Sequence, residues 1–221
     1  MPSNPIAHEI IEKSGVPFSA PSANLSGKPS PTNAEDVFVD MNGRIPLIID
    51  GGECQAGVES TVISVLTSTP TILRPGVITK EMISKVLNKE VVVAKAVTEG
   101  VKKDEKVLSP GMKYKHYAPK AEVTILKGTI ESFVKFVETH KTPNTFVLCF
   151  DGEEHLFSVP AISYGKQDDA TSQAHKLFSS LRKLDETNAK QVFARCPETT
   201  GVALAVYNRL IRSADFKIIE I

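Results

Sequence analysis

The rhythm of apolar and polar positions changes twice along this chain. Ile6, Ile10 and Ile11 recur at helical spacing after Asn4 and Pro5, which suit a cap and a first turn, and the stripe ends near Gly15. Residues 16–20 (VPFSA) read as a short buried strand, and 21–31 as an ordered loop rich in proline and serine. Thr32 followed by Glu35 has the form of a capping box, predicting a helix that runs to about Met41. Strands are predicted at 46–50, 60–66 and 71–74, with Gly51-Gly52 and Pro70 as breaks. Thr79 is placed to cap another short helix, and 91–94 to form one more strand.

Between 95 and 120 the hydrophobic period disappears, and charges, Gly100, Pro110, Gly111 and Pro119 take its place, as in a linker. A different rhythm follows. Strands are predicted at 122–126, 145–150, 158–164, 191–195 and 216–221, and helices at 130–140, 168–186 and 202–212. Strands alternating with helices build a parallel, doubly wound sheet. The chain is therefore α/β throughout, in three segments: 1–94, a linker at 95–120, and a second α/β domain at 121–221.

Composition narrows the function without naming it. At 221 residues there is room for one large domain or two modest ones. Lys plus Arg (26) equals Asp plus Glu (26), so no net field favours nucleic acid or a membrane surface. No apolar run approaches the roughly 20 residues that span a bilayer, and the opening MPSNPIAHEII lacks the basic start and cleavage site of a signal peptide. Cys54, Cys149 and Cys196 are odd in number and far apart, which suits a reducing compartment and a cytoplasmic location. The five histidines show no metal spacing, and there is no CxxC. Asp151, Glu153 and Glu154 read as a solvated acidic loop, and Cys196 as a buried structural thiol.

Four short motifs carry the candidate chemistry. SAPSANLSGKPSPT (19–32) offers Ser22, Asn24, Ser26, Ser30 and Thr32 on a path fixed by prolines and Gly27. It reads either as a cradle for phosphate or carboxylate or as a turn whose hydroxyls cap local backbone. It is not a Walker loop. GVESTVISV (57–65) sets Ser60 and Thr61 at the mouth of a strand, where a hydroxyl can meet a ligand or simply begin a strand. LRPG (73–76) puts Arg74 before a proline that forces extended backbone, so the guanidinium suits either an anion or a surface ion pair. SPGMKYKHYAP (109–119) interleaves Tyr114, His116 and Tyr117 with lysines; aromatics in a tether need a partner surface, and docking on the first domain is expected.

Taken in order, these motifs resemble the L-threonylcarbamoyladenylate synthase family in its two-domain form. The resemblance implies a YrdC-like twisted α/β catalytic domain, of which 1–94 is the C-terminal portion, then a linker strap and a small Rossmann-like domain. Family members carry further catalytic-domain sequence upstream, so the chain is expected to be an N-terminally truncated form, inactive alone. The implied reaction, a nucleotidyl transfer, condenses L-threonine, bicarbonate and ATP to threonylcarbamoyl-AMP and pyrophosphate, on the way to threonylcarbamoyladenosine at tRNA position 37. By motif, Ser22, Ser30 and Arg74 would contact ATP, Tyr117 or Tyr114 would close over it, and Ser60 would contact L-threonine. Asn24 would organise the loop. Mg²⁺ would arrive with ATP, without a dedicated carboxylate cage. Downstream tRNA-modification proteins and double-stranded RNA or tRNA contact are the further partners implied. The alternative is a non-catalytic fragment that binds nucleotide or RNA.

Overall fold

A computed structural model describes residues 2–99 and 117–221, so Tyr114 and most of SPGMKYKHYAP lie outside the described residues. The second half of the chain builds the principal core. Its five strands, β4 (Glu122–Lys127), β5 (Thr145–Cys149), β6 (Ala161–Ser163), β7 (Gln191–Arg195) and β8 (Ile218–Glu220), lie in the order β6-β5-β7-β4-β8, and all pairs are parallel. Side chains alternate across a strand, so neighbouring residues serve opposite faces. Ile125, Leu148, Val192 and Ala194 face α5 (Ala170–Asp185) and α6 (Ala203–Ser213). Leu126, Val147, Cys149 and Phe193 face α4 (Ile130–His140), which contributes Phe133 and Val137. Covering both faces explains why every residue of β5 is buried and why its sequence, TFVLC, is nearly all apolar.

The first part is thinner. It contains α1 (Pro5–Ser14), α2 (Ala34–Met41), β1 (Val62–Ser64), β2 (Thr71–Arg74), α3 (Lys80–Leu87) and β3 (Val92–Val93), with a short 3₁₀ turn at Lys95–Val97. β1 runs antiparallel to β2, and β3 parallel to it. Asn4 caps α1 by accepting from Ala7 N, and Thr79 caps α3 by accepting from Met82 N. Before residue 100, the buried apolar side chains among the described residues are Ile72, Leu73, Val91 and Val97.

Four local expectations fail here. Residues 16–20 and 46–50 form no strand, and Val16, Phe18, Leu47 and Ile49 are exposed. An apolar run becomes a strand only beside a neighbour to pair with, and neither run has one among the described residues. The cap of α2 is Asn33 rather than Thr32: its side chain accepts from Asp36 N, while Asp36 reaches back to Thr32 N. The acidic loop is not simply solvated, because Asp151 pairs with Lys176 and Glu153 with Arg195. Cys196 is half-buried rather than buried, and burial pushes its thiol up to about 11.

Candidate functional site

The loop from 19 to 32 is held by two side chains. Asn24 donates through Nδ2 to the carbonyls of Leu25 (2.9 Å) and Lys28 (3.1 Å), folding the loop onto itself. Asp40, near the end of α2, is fully buried and accepts from Leu25 N and from Lys28 Nζ (2.7 Å). Its third donor comes from the other half of the molecule. Arg182 of α5 gives Nη2 to Asp40 Oδ2 (2.8 Å) and to the Pro29 carbonyl (2.7 Å). Burial alone would raise the Asp40 pKa, but the hydrogen bonds from Arg182 and Lys28 outweigh it and hold it at about 2.

GVEST and LRPG meet through the β1–β2 pairing, in which Val62 stands opposite Arg74. Proline at 75 keeps Arg74 extended, and its Nε donates to the Ser60 carbonyl (3.1 Å). Both Nη atoms are without a hydrogen-bond partner among the described residues. The next glycine explains the closeness of the two segments. A Cβ on Gly76 would stand 2.5 Å from Thr61 N and 2.8 Å from the Glu59 carbonyl, so only glycine fits.

Glu59 lies at the centre of the assembly. Its carboxylate accepts from Ser30 Oγ (2.7 Å) and from Arg209 Nε (2.9 Å), and it also takes the Tyr117 phenol. Arg209, on α6, is completely buried; it donates further to the Pro75 carbonyl (2.8 Å), the Glu59 carbonyl (3.2 Å) and Asn208 Oδ1 (3.0 Å). Burial raises the Glu59 pKa, yet the Arg209 charge and the Ser30 hydrogen bond reverse this and keep it ionised. Arg74 is depressed from the usual arginine value, first by burial and then by the Arg209 charge. Tyr117 is raised by burial and by Glu59.

The structure thus brings four of the sequence-predicted residues, Ser30, Arg74, Ser60 and Tyr117, around Glu59. Ser22 is exposed at the start of the loop, and Asn24 lies inside it. Tyr117 meets the docking expectation in part: its phenol reaches Glu59 of the first part, while its ring stacks on Phe178 of α5 (centroids 5.0 Å apart). The α5–α6 face supplies the apolar wall a ring needs, whereas the first part has little. Sequence reasoning missed Glu59, Asp40, Arg182 and Arg209. The available signal was two arginines and an asparagine (Asn208, Arg209, Arg212) interrupting an apolar helix. Asn208 also donates to the Val97 carbonyl (2.7 Å) and Arg212 to that of Ala96 (2.9 Å).

Residues 78–215 match the model for the C-terminal domain of threonylcarbamoyl-AMP synthase, and residues 1–76 match a domain described as telomere recombination. The chain belongs to the threonylcarbamoyl-AMP synthase family. It is 41% identical to the threonylcarbamoyl-AMP synthase of Bacillus subtilis and 40% identical to that of Pyrococcus abyssi, over its whole length in both comparisons. It spans 63% and 64% of those two relatives. A crystal structure of P. abyssi Sua5 complexed with L-threonine superposes with a TM-score of 0.85 at 39% identity, covering 100% of this chain and 64% of that one. Among the described residues no helix is long and apolar enough to cross a membrane.

Proposed function

We propose that this chain serves threonylcarbamoyl-AMP synthesis, the condensation of L-threonine, bicarbonate and ATP with release of pyrophosphate. The observation that carries the reading is the Arg74 guanidinium, fixed by the Ser60 carbonyl through Nε while its Nη atoms have no hydrogen-bond partner among the described residues. A cation held this way beside the exposed Ser60 suits a polyphosphate and a small amino acid. Arg74 and Ser30 are assigned to ATP together with Ser22, and Ser60 to L-threonine, the ligand complexed with the P. abyssi relative. Tyr117 reaches the same group of residues through its phenol, by way of Glu59. The adenylate feeds tRNA modification, with tRNA or its modification proteins as downstream partners, and the three free thiols suit the cytoplasm.

The residues present do not form a magnesium cage. Glu59 is already taken by Ser30, Arg209 and Tyr117, and no group of three metal-ligating side chains occurs among the described residues. A magnesium ion would be held by the ATP phosphates themselves.

Binding tests the reading. ATP titrated into the chain should bind, with Arg74→Ala weakening it and Ser60→Ala sparing it; L-threonine should show the reverse order of sensitivity. Equal ATP affinity in the parent and in Arg74→Ala would reject the phosphate assignment.

A further inference from the structure

Two guanidinium groups approach one carboxylate, and only one pairs with it. Arg209 and Arg74 take successive carbonyls of the same segment, those of Glu59 and Ser60. Arg74 is close enough to feel the charges of both Glu59 and Arg209. Yet the Glu59 side chain is filled by Ser30, Arg209 and Tyr117, and no salt bridge joins it to Arg74. A carboxylate one residue from the carbonyl that a half-buried arginine bonds is a ready partner for it unless something else holds it.

We infer that Arg209, supplied by the C-terminal domain, is a positioning residue that holds Glu59 and thereby keeps the Arg74 guanidinium free to bind an anion. Without Arg209, Glu59 turns to Arg74 and occupies the position that the ATP phosphates would take. The second domain then has a direct part in ligand binding without touching ligand: its helix supplies the competitor that the first domain's carboxylate needs. The inference rests on the assignment of Arg74 to a phosphate.

The test is a double-mutant cycle on ATP affinity, measured by calorimetry with the full chain. Arg74→Ala alone should weaken ATP binding at least about tenfold, the loss expected for a charge-assisted contact. Arg209→Ala should weaken it by a similar factor, and adding Arg74→Ala to that variant should cost nothing more, because Arg74 is already captured. Glu59→Gln placed in the Arg209→Ala protein should restore most of the affinity, since a neutral amide does not capture the guanidinium. A merely structural or long-range role for Arg209 gives additive losses instead, with no rescue by Glu59→Gln, and overturns the inference. If Arg209→Ala does not fold, Arg209→Gln takes its place in the cycle: a loss of ATP affinity that Glu59→Gln restores supports the inference, and no loss, or a loss that Glu59→Gln leaves in place, overturns it. No effect of Arg74→Ala rejects the phosphate assignment itself, a result separate from additivity.

Discussion

Arg182 and Asp40 are separated by 142 residues in sequence, yet Nη2 of one donates to Oδ2 of the other over 2.8 Å, with the carboxylate wholly inaccessible to solvent. The same Nη2 satisfies the carbonyl of Pro29, so one atom ties the end of α2 to the loop that carries Ser22, Asn24 and Ser30.

Arg182→Ala should cost about 3–5 kcal/mol of stability, the usual consequence of leaving one member of a buried ion pair behind. Arg182→Lys should recover only part, because the lysine side chain is one atom too short to put its nitrogen where Nη2 bonds both Pro29 and Asp40. Urea unfolding of the three proteins measures this. A loss below about 1 kcal/mol would mean that solvent reaches the pair.

Acid should release the same contact. The Asp40 pKa falls from 3.8 to about 2 in the folded chain, so its contribution is complete above about pH 4 and is lost as pH falls toward 2. The term amounts to roughly 2 kcal/mol. Thermal melts between pH 5 and about 2 should show a decline that is shallower in Asp40→Asn.

Gly76→Ala should be disruptive although it adds one methyl group. The nearest atoms, Thr61 N, the Glu59 carbonyl and Ser60 C, are all backbone and cannot swing aside. We expect a loss of about 1–3 kcal/mol and weaker ATP binding, because Arg74 is displaced from the Ser60 carbonyl. Calorimetry alongside urea unfolding separates the two effects.

Tyr117→Phe should retain the stack on Phe178 while removing the phenol from Glu59. The expected cost is about 1 kcal/mol, a single hydrogen bond. Tyr117→Ala also empties a buried site and should lose about 3–5 kcal/mol. Matching losses in the two variants would assign the whole contribution to the hydroxyl.

What was legible in the sequence was what neighbouring residues decide. Asn4 and Thr79 announce their helices because a cap is a contact over three residues, and the alternation after 121 gives the parallel sheet because both periods are local. The runs at 16–20 and 46–50 have the right composition for strands, but a strand is completed by a second segment, which composition does not supply. The site divides in the same way. Arg74 ends β2 and Ser60 lies just before its partner β1, and both were recognisable as motif residues. Glu59 was overlooked inside GVEST because its meaning comes from Arg209, 150 residues later, and an arginine on a helix ordinarily faces water.

The span of those contacts also sets an order in time. Within the C-terminal domain each strand is joined to the next through a single helix or a short connection, so its sheet closes through modest loops. The Asp40–Arg182 and Glu59–Arg209 contacts close loops of 142 and 150 residues and require α5 and α6 to be already in place. With Ile72, Leu73, Val91 and Val97 as the buried aliphatic side chains among its described residues, the first part has little with which to fold ahead of them. In refolding, hydrogen-exchange protection should therefore reach β5 and β7 before it reaches β1 and β2, and Arg74 should be among the last parts of the molecule to arrive.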